Sequence, residues 1–117
     1  MEPQILNNML VHELNEIKAT EILNLTIADK TPLADFMLIC TASSSRHAKA
    51  IVKHVQIALK AKGIALNALS GEEHGEWVIM DYGSTLIHIM QSQTRAFYNL
   101  EGIWENNDEI DNPANES

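Results

Sequence analysis

Apolar residues recur along this chain with two different periods, and the two periods predict different elements. Residues 4–18 follow the 3.6-residue period of an amphipathic helix. A second helix is predicted after Ser43-Ser44-Ser45, whose hydroxyls can cap it, and Gly63 is a natural stop. The predicted inner stripe of that helix is Ala48, Ile51, Val52, Val55, Leu59 and Lys62, and the outer face carries Arg46, Lys49, Lys53 and Lys60.

Five segments show the patterns of β-strands. Residues 21–27 alternate, residues 35–41 form a nearly continuous apolar run typical of a central strand covered on both faces, and residues 64–69 form a short strand. Residues 76–82 and 85–91 flank Gly83-Ser84, which fits a type II′ hairpin. The register pairs Tyr82 with Thr85, Met80 with Ile87, and Val78 with Ile89. One hairpin face is then apolar, and the other carries Trp77, Ile79, Asp81, Leu86, His88 and Met90.

The last predicted element is a helix capped by Thr94. Phe97, Leu100 and Trp104 follow at i, i+3 and i+7 and predict its inner face. The element order α-β-β-α-β-β-β-α predicts an α/β fold, a single compact domain over residues 1–104 with a mixed five-stranded sheet and flanking helices. Within it, the strand at 35–41, the helix and the strand at 64–69 form a right-handed βαβ unit.

Charge is distributed unevenly along the chain. The net charge of 117 residues is −8, but the tail, residues 105–117, holds five of the sixteen acids and no base, which leaves eleven acids against eight bases over residues 1–104. We predict this acidic tail to be disordered. Residues 46–62 contain five bases and no acid, whereas residues 72–76 contain three acids. This asymmetry favours a partner with basic patches, although an ordinary solvated surface explains it equally well.

The residue types that most enzymes need are missing. The chain has no glycine-rich phosphate loop and no carboxylate cluster after Gly83-Ser84, and its histidines are scattered without metal-ligand spacing. Cys40, the single cysteine, lies in an apolar strand where thiols are usually inert. We therefore predict a binding protein and not an enzyme, with no cofactor and no metal. One cysteine, no leader segment and no long apolar stretch predict a cytoplasmic location.

The candidate site is the polar face of the hairpin. Trp77, Asp81 and His88 share it, and Asp81 lies diagonal to His88, where a carboxylate can orient the imidazole and raise its pKa. A tryptophan with a few convergent polar groups is what a protein-binding hot spot needs. The alternative, that Trp77 and His88 are packed under a neighbouring helix, fits the residues equally well.

Four linked motifs resemble the ribosomal silencing factor (Iojap-like) family over residues 5–104. They are Ala34-Asp35-Phe36-Met37-Leu38-Ile39-Cys40-Thr41, then Ser45-Arg46-His47-Ala48-Lys49-Ala50-Ile51, then Gly75-Glu76-Trp77-Val78 with Asp81-Tyr82-Gly83 and His88, and last Arg95, Phe97-Tyr98-Asn99-Leu100-Glu101 and Ile103-Trp104. Two residues depart from the family pattern: Ser70, where members often have glutamate, and Gly102, where a helix-favouring residue is usual.

The resemblance implies a fold related to nucleotidyltransferases without their catalytic groups. It implies docking on the large ribosomal subunit through ribosomal protein uL14, a steric block of small-subunit joining, and repression of translation when nutrients are scarce. The implied docking residues are Trp77, Asp81, Tyr82 and His88, with Glu76 in an acidic loop and Arg95 and Tyr98 near the strand end. A homodimer is a further expectation. The charge of the basic face of residues 46–62 also allows contact with ribosomal RNA, although a solvated helix face is the better explanation of that charge. An active nucleotidyltransferase-like enzyme and a small RNA-binding module remain alternatives.

Overall fold

The computed structural model describes residues 1–104, and the predicted acidic tail lies outside the described residues. The elements are α1 (Pro3–Glu16), β1 (Thr20–Thr26), β2 (Phe36–Ala42), α2 (Ser45–Lys60), β3 (Ala68–Ser70), β4 (Trp77–Asp81), β5 (Thr85–Gln91) and α3 (Ser92–Tyr98). A further helical stretch covers residues 100–104. This order is the one that the hydrophobic pattern predicts.

The strands form one mixed sheet in the order β1-β2-β5-β4-β3. β2 and β5 are parallel, while β1 with β2, β4 with β5 and β3 with β4 are antiparallel. The prediction of a mixed five-stranded sheet is therefore confirmed. The two buried central strands are β2 and β5, which explains the continuous apolar run of residues 36–42, because a central strand covered on both faces has no polar side.

The predicted strand at 64–69 is wrong in its extent. Only Ala68–Ser70 form β3, and residues 64–67 have no regular structure. β3 does run in the same direction as β2, but the two are not neighbours, because the hairpin of β4 and β5 lies between them. β5 pairs with β2 along seven residues, from Phe36 opposite Thr85 to Ala42 opposite Gln91. The pairing of the hairpin with β2 therefore separates the two strands of the predicted βαβ unit.

Both long helices pack on the same face of the sheet. The main core joins apolar residues of α1 and α2 to the sheet residues Leu38, Val78, Met80, Ile87 and Ile89. The α2 stripe is buried as predicted except for Lys62, which follows the helix and is exposed. α2 begins where the serines predict, because the side chain of Ser44 accepts the backbone N–H of His47 at 3.0 Å.

The opposite face of the sheet has a smaller core. Ile27, Ala34, Met37, Ile39 and Met90 are buried there, and Trp77, Leu86, Leu100 and Trp104 pack against them. The cover on this side comes from the connection between β1 and β2 and from the chain after β5, and not from a long helix. We call this side the open face of the sheet and the other the helix-covered face.

The hairpin has the predicted register. Met80 lies opposite Ile87 and Val78 opposite Ile89, and the backbone N–H of Tyr82 donates to the carbonyl of Thr85 at 3.0 Å. Gly83 has φ of +91°, the positive value that a II′ turn requires at its first central position. The apolar side of this hairpin is the helix-covered face, as predicted.

The C-terminal helix differs from the prediction. α3 ends at Tyr98, and Asn99 adopts the left-handed conformation with φ 47° and ψ 50°. Asparagine tolerates this conformation better than most residues, and it changes the direction of the chain. Leu100 and Trp104 therefore pack on the open face as predicted, whereas Phe97, predicted to join them, is 80% exposed.

Candidate protein-docking surface

Trp77 begins β4 on the open face, where its indole is partly buried. Its Nε1–H donates to Nδ1 of His88 at 2.9 Å, and the two rings lie 6.0 Å apart. His88 sits beside it because Ile79 and His88 are directly opposite in the register and Trp77 is the next same-face residue along β4. The bond fixes both the orientation of the indole and the tautomer of His88, whose Nδ1 must be unprotonated to accept.

The predicted pairing of Asp81 with His88 is wrong. Asp81 Oδ1 accepts the backbone N–H of Gly83 at 2.7 Å and closes the hairpin turn. His88 is only 7% exposed, and burial lowers its pKa to about 4, the opposite of the predicted rise. Desolvation disfavours the charged imidazolium, and the neighbouring group is a neutral indole N–H, not a carboxylate. His88 is consequently neutral at pH 7.

The rings of Trp77, Tyr98 and Phe97 form a continuous patch on the open face. Tyr98 packs on the indole with ring centroids 4.9 Å apart, and Phe97 meets Tyr98 edge-on at 4.9 Å. Tyr98 is 54% exposed and Phe97 is 80% exposed. We call Trp77, Phe97 and Tyr98 the aromatic patch. The indole is thus partly accessible to solvent, because α3 covers only part of it. Phe97 and Tyr98, both on α3, add two exposed rings beside it.

The guanidinium of Arg95 is bonded within the fold. Its Nη1 donates to the backbone carbonyl of Glu21 at 2.7 Å and to Oγ1 of Thr41 at 2.9 Å, and its Nε donates to Glu101 at 3.0 Å. These bonds tie α3 to β1, β2 and the following helical stretch. Arg95 therefore positions the helix that carries Tyr98.

Tyr82 lies on the other side of the sheet from the aromatic patch. It is 6% exposed and belongs to the helix-covered core, where burial raises its pKa to about 12. Strand alternation explains this placement, because Tyr82 shares the parity of Val78 and Met80 and not of Trp77. The structure does not bring Tyr82 together with the other predicted site residues.

The acidic loop between β3 and β4 is held in place at both ends. Gly71 has φ of +81°, and a Cβ there would lie 2.0 Å from the carbonyl oxygen of Trp77, so no side chain fits. At the other end, Gln91 Nε2 donates to the carbonyl of Gly75 at 2.9 Å. The loop thus presents three exposed carboxylates beside the strand that carries Trp77, those of Glu72, Glu73 and Glu76.

Three other features bear on function in the described part of the chain: the Cys40 thiol, possible metal ligands and possible membrane helices. Burial raises the pKa of the Cys40 thiol to about 12, which keeps it protonated and unreactive. Within residues 1–104, no three histidine, cysteine or acidic side chains are grouped in a way that would hold a metal ion. No helix in this range has the length and apolar content needed to cross a membrane.

Phe97 is the surface residue that the sequence interpretation misplaced. In a continuous helix, Phe97, Leu100 and Trp104 would lie on one face. The helix breaks at Asn99, so Phe97 no longer shares a face with the other two. The available signal was Asn99 followed by Gly102, two residues of low helix propensity within four positions. A helix end at Asn99, before the helical stretch that contains Gly102, leaves Phe97 free to face solvent.

The fold and the aromatic patch define an α/β domain that leaves aromatic side chains exposed on one face of its sheet. A family model described as "Ribosomal silencing factor during starvation" matches residues 2–117. A protein named ribosomal silencing factor RsfS from Chromobacterium violaceum is 34% identical over 104 residues, which cover 89% of this chain and 85% of that protein. The chain belongs to the family of ribosomal silencing factors.

Solved structures and a distant relative agree with this family. A crystal structure of a Chromobacterium violaceum protein superposes with a TM-score of 0.86 at 33% identity, covering 90% of this chain and 88% of that one. A Bacillus halodurans structure gives 0.78 at 31% identity, covering 86% and 94%. A mouse protein named "Mitochondrial assembly of ribosomal large subunit protein 1" is 29% identical and is matched over 83% of this chain and 44% of its own length. The predicted kinship with nucleotidyltransferases stays a prediction.

Proposed function

We propose that the aromatic patch binds ribosomal protein uL14 on the large ribosomal subunit and that the bound domain sterically blocks joining of the small subunit. In this proposal the protein works in the cytoplasm, represses translation under nutrient limitation, and catalyses no reaction. The observation that carries it is the exposure of Phe97 and Tyr98 over a partly buried indole. Monomeric proteins rarely leave such rings exposed side by side, and aromatic residues are enriched at binding hot spots.

The surroundings of the patch favour a basic partner. Glu76 precedes Trp77 directly, and Glu72 and Glu73 lie in the same anchored loop. A rim of carboxylates speeds encounter with a basic surface and fixes its orientation, while the rings supply most of the affinity. Asp81 and His88 contribute indirectly, because Asp81 closes the hairpin and His88 orients the indole.

The proposed block is steric. A domain with described extents of 47 × 32 × 21 Å, seated where the subunits meet, occupies space that the small subunit needs. The protein needs no nucleotide, metal or reactive side chain for that effect. The same exposed rings also provide a surface through which two copies of the chain can pair, and such a homodimer would compete with docking.

The test is the substitution Phe97→Ala, alone and with Tyr98→Ala, assayed by binding to purified large subunits and to isolated uL14. Phe97 makes its contacts outside the core, so we expect unchanged unfolding free energy. We expect a loss of affinity of about 30-fold for a single hot-spot ring, equivalent to about 2 kcal/mol. Size-exclusion chromatography of the same variants reports whether the patch also pairs two copies.

Ile5→Ala is the matched control, because Ile5 is 47% exposed and lies on α1, on the other side of the sheet. It removes a similar exposed apolar side chain without touching the patch. Binding of the Phe97 and Tyr98 double variant with wild-type affinity would refute the docking proposal. Trp77→Ala is a poorer probe, because it also leaves His88 without its donor.

A further inference from the structure

The outer face of α2 carries a straight line of cations. Arg46, Lys49, Lys53 and Lys60 are all exposed. At 3.6 residues per turn, these four positions fall within about 60° of the helix circumference and extend over about 21 Å of its axis. We call these four residues the cationic stripe. Ile57, 60% exposed, lies on the same line between Lys53 and Lys60.

The cationic stripe has no anionic partner within the described range. None of its four side chains forms an ion pair or a hydrogen bond with another residue of 1–104. The buried acid on the neighbouring helix, Glu13, bonds instead to His54, with 2.8 Å between Oε1 and Nε2. These four cations are half of the eight bases in a chain of net charge −8. Such concentrated and unpaired positive charge points to a polyanion.

The cationic stripe and the aromatic patch face in opposite directions. α2 packs Ile51, Val55 and Leu59 into the helix-covered core, so its stripe points away from the sheet on that side. Trp77 packs on the open face. A partner on one surface therefore leaves the other surface free.

We propose that the cationic stripe is a second docking surface, which binds the phosphate backbone of RNA. Protein interfaces are depleted in lysine and enriched in aromatic residues, and the stripe has three lysines, one arginine and no aromatic ring. Flexible ammonium groups at regular spacing suit phosphate contacts that carry no sequence information. This inference does not depend on which protein the aromatic patch binds.

The test is fluorescence anisotropy with a labelled 20-nucleotide polyuridine RNA and the full-length protein, across a series of salt concentrations. Each lysine–phosphate contact on a single strand contributes about −0.7 to the slope of log affinity against log salt. We expect Lys49→Gln combined with Lys53→Gln to reduce that slope by about 1.4 and to weaken binding at low salt by about tenfold or more. Circular dichroism should be unchanged, because both side chains are exposed.

The matched control is Gln93→Glu with Ala96→Glu on α3, which changes the net charge by the same two units at exposed positions away from α2. Binding and slope close to wild type in this control, with loss in the lysine variant, would support the proposal. An equal loss in both variants would overturn it, because the effect would then be global charge. Tighter binding of a 20-residue polyglutamate peptide than of the RNA would also overturn it, in favour of an acidic protein. The lysine variant should keep wild-type binding to uL14, so failure here and failure of the docking proposal are distinguishable.

Discussion

The two faces of the sheet are built from the same strands but differ in what covers them and in which side chains they bury. On β5, Ile87 and Ile89 are fully buried under α1 and α2. Leu86 and His88, at the alternate positions, lie on the open face, which no long helix covers. The helix-covered core is mostly apolar, and the buried polar residues on that side are Asn7, Glu13 and Thr85. The open face instead contains a buried imidazole, an indole bonded to it and exposed aromatic rings.

This difference is what the proposed docking function expects of a face that binds a partner. A largely apolar face closed by two amphipathic helices contributes in proportion to its buried apolar area. The open face leaves the rings of Phe97 and Tyr98 largely in water, which forgoes the stabilisation that their burial would give. Residues that are costly in the free protein and accessible to a partner are the expected signature of a binding site.

The largest expected effect tests this contrast on adjacent residues. Ile87→Ala removes a fully buried side chain from the helix-covered core and should lower the unfolding free energy by about 2–5 kcal/mol. Leu86→Ala, on the partly covered open face, should cost about 1 kcal/mol. Urea denaturation measures both. Equal losses would show that the two faces contribute alike and would remove the contrast.

A second effect comes from the buried imidazole. The pKa of His88 is about 4 in the folded protein, against an ordinary value of 6.5, so the unfolded chain binds more protons between these two values. Stability from this group is complete above pH 6.5 and falls by about 3 kcal/mol as the pH drops to 4.

His88→Gln is the appropriate control for that pH dependence. Glutamine keeps an acceptor for the Trp77 N–H but does not titrate, and the other histidines are the same in both proteins. The difference in unfolding free energy between wild type and variant, measured at pH 7.5 and pH 4.5, isolates the contribution of His88. A difference that does not change with pH would contradict the burial of a neutral imidazole.

A third prediction concerns the attachment of α3 to the open face. Arg95→Ala removes the bonds to Glu21, Thr41 and Glu101 and should cost about 2 kcal/mol. It should also weaken partner binding, because α3 carries Tyr98. Arg95→Lys should recover only part of the stability, since an ammonium cannot reproduce bonds from both Nε and Nη1. Full recovery would mean that charge, and not geometry, holds the helix.

The smallest expected effect lies on the helix-covered side. Ser44→Ala removes the side-chain cap of α2 and should cost about 1 kcal/mol of unfolding free energy with no change in partner binding. Thermal and urea unfolding measure the first part, and co-sedimentation with large subunits measures the second. A loss of binding would show that the two faces are coupled through the sheet.

Much of the fold could be predicted because its signals are local. The α2 stripe, the serine cap and the Gly83-Ser84 turn each lie within a few residues, and the hairpin register follows from that turn. The prediction at 64–69 failed because three-residue β3 is an edge strand whose length depends on pairing with β4. The inner position of Phe97 failed because one residue, Asn99, changes the direction of the last helix.

The site was predictable in its members but not in its contacts. Alternation along β4 and β5 placed Trp77, Asp81 and His88 on one face, and the structure agrees. Sequence reasoning chose the wrong partner for His88, because Asp81 accepts the backbone N–H of Gly83 and the imidazole accepts the indole N–H of Trp77. Sequence reasoning also did not foresee that Arg95 bonds to Glu21, Thr41 and Glu101 within the fold.

The sequence by itself determined the element order, the apolar side of the hairpin and the family, since each depends on patterns that lie close together in the chain. The tertiary structure decided which strand lies next to which, that Tyr98 covers Trp77, and that His88 is neutral. Those outcomes depend on contacts between residues distant in sequence, such as Trp77 with Tyr98 or Arg95 with Glu21. Burial and pKa are properties of the assembled neighbours, and no local pattern contains them.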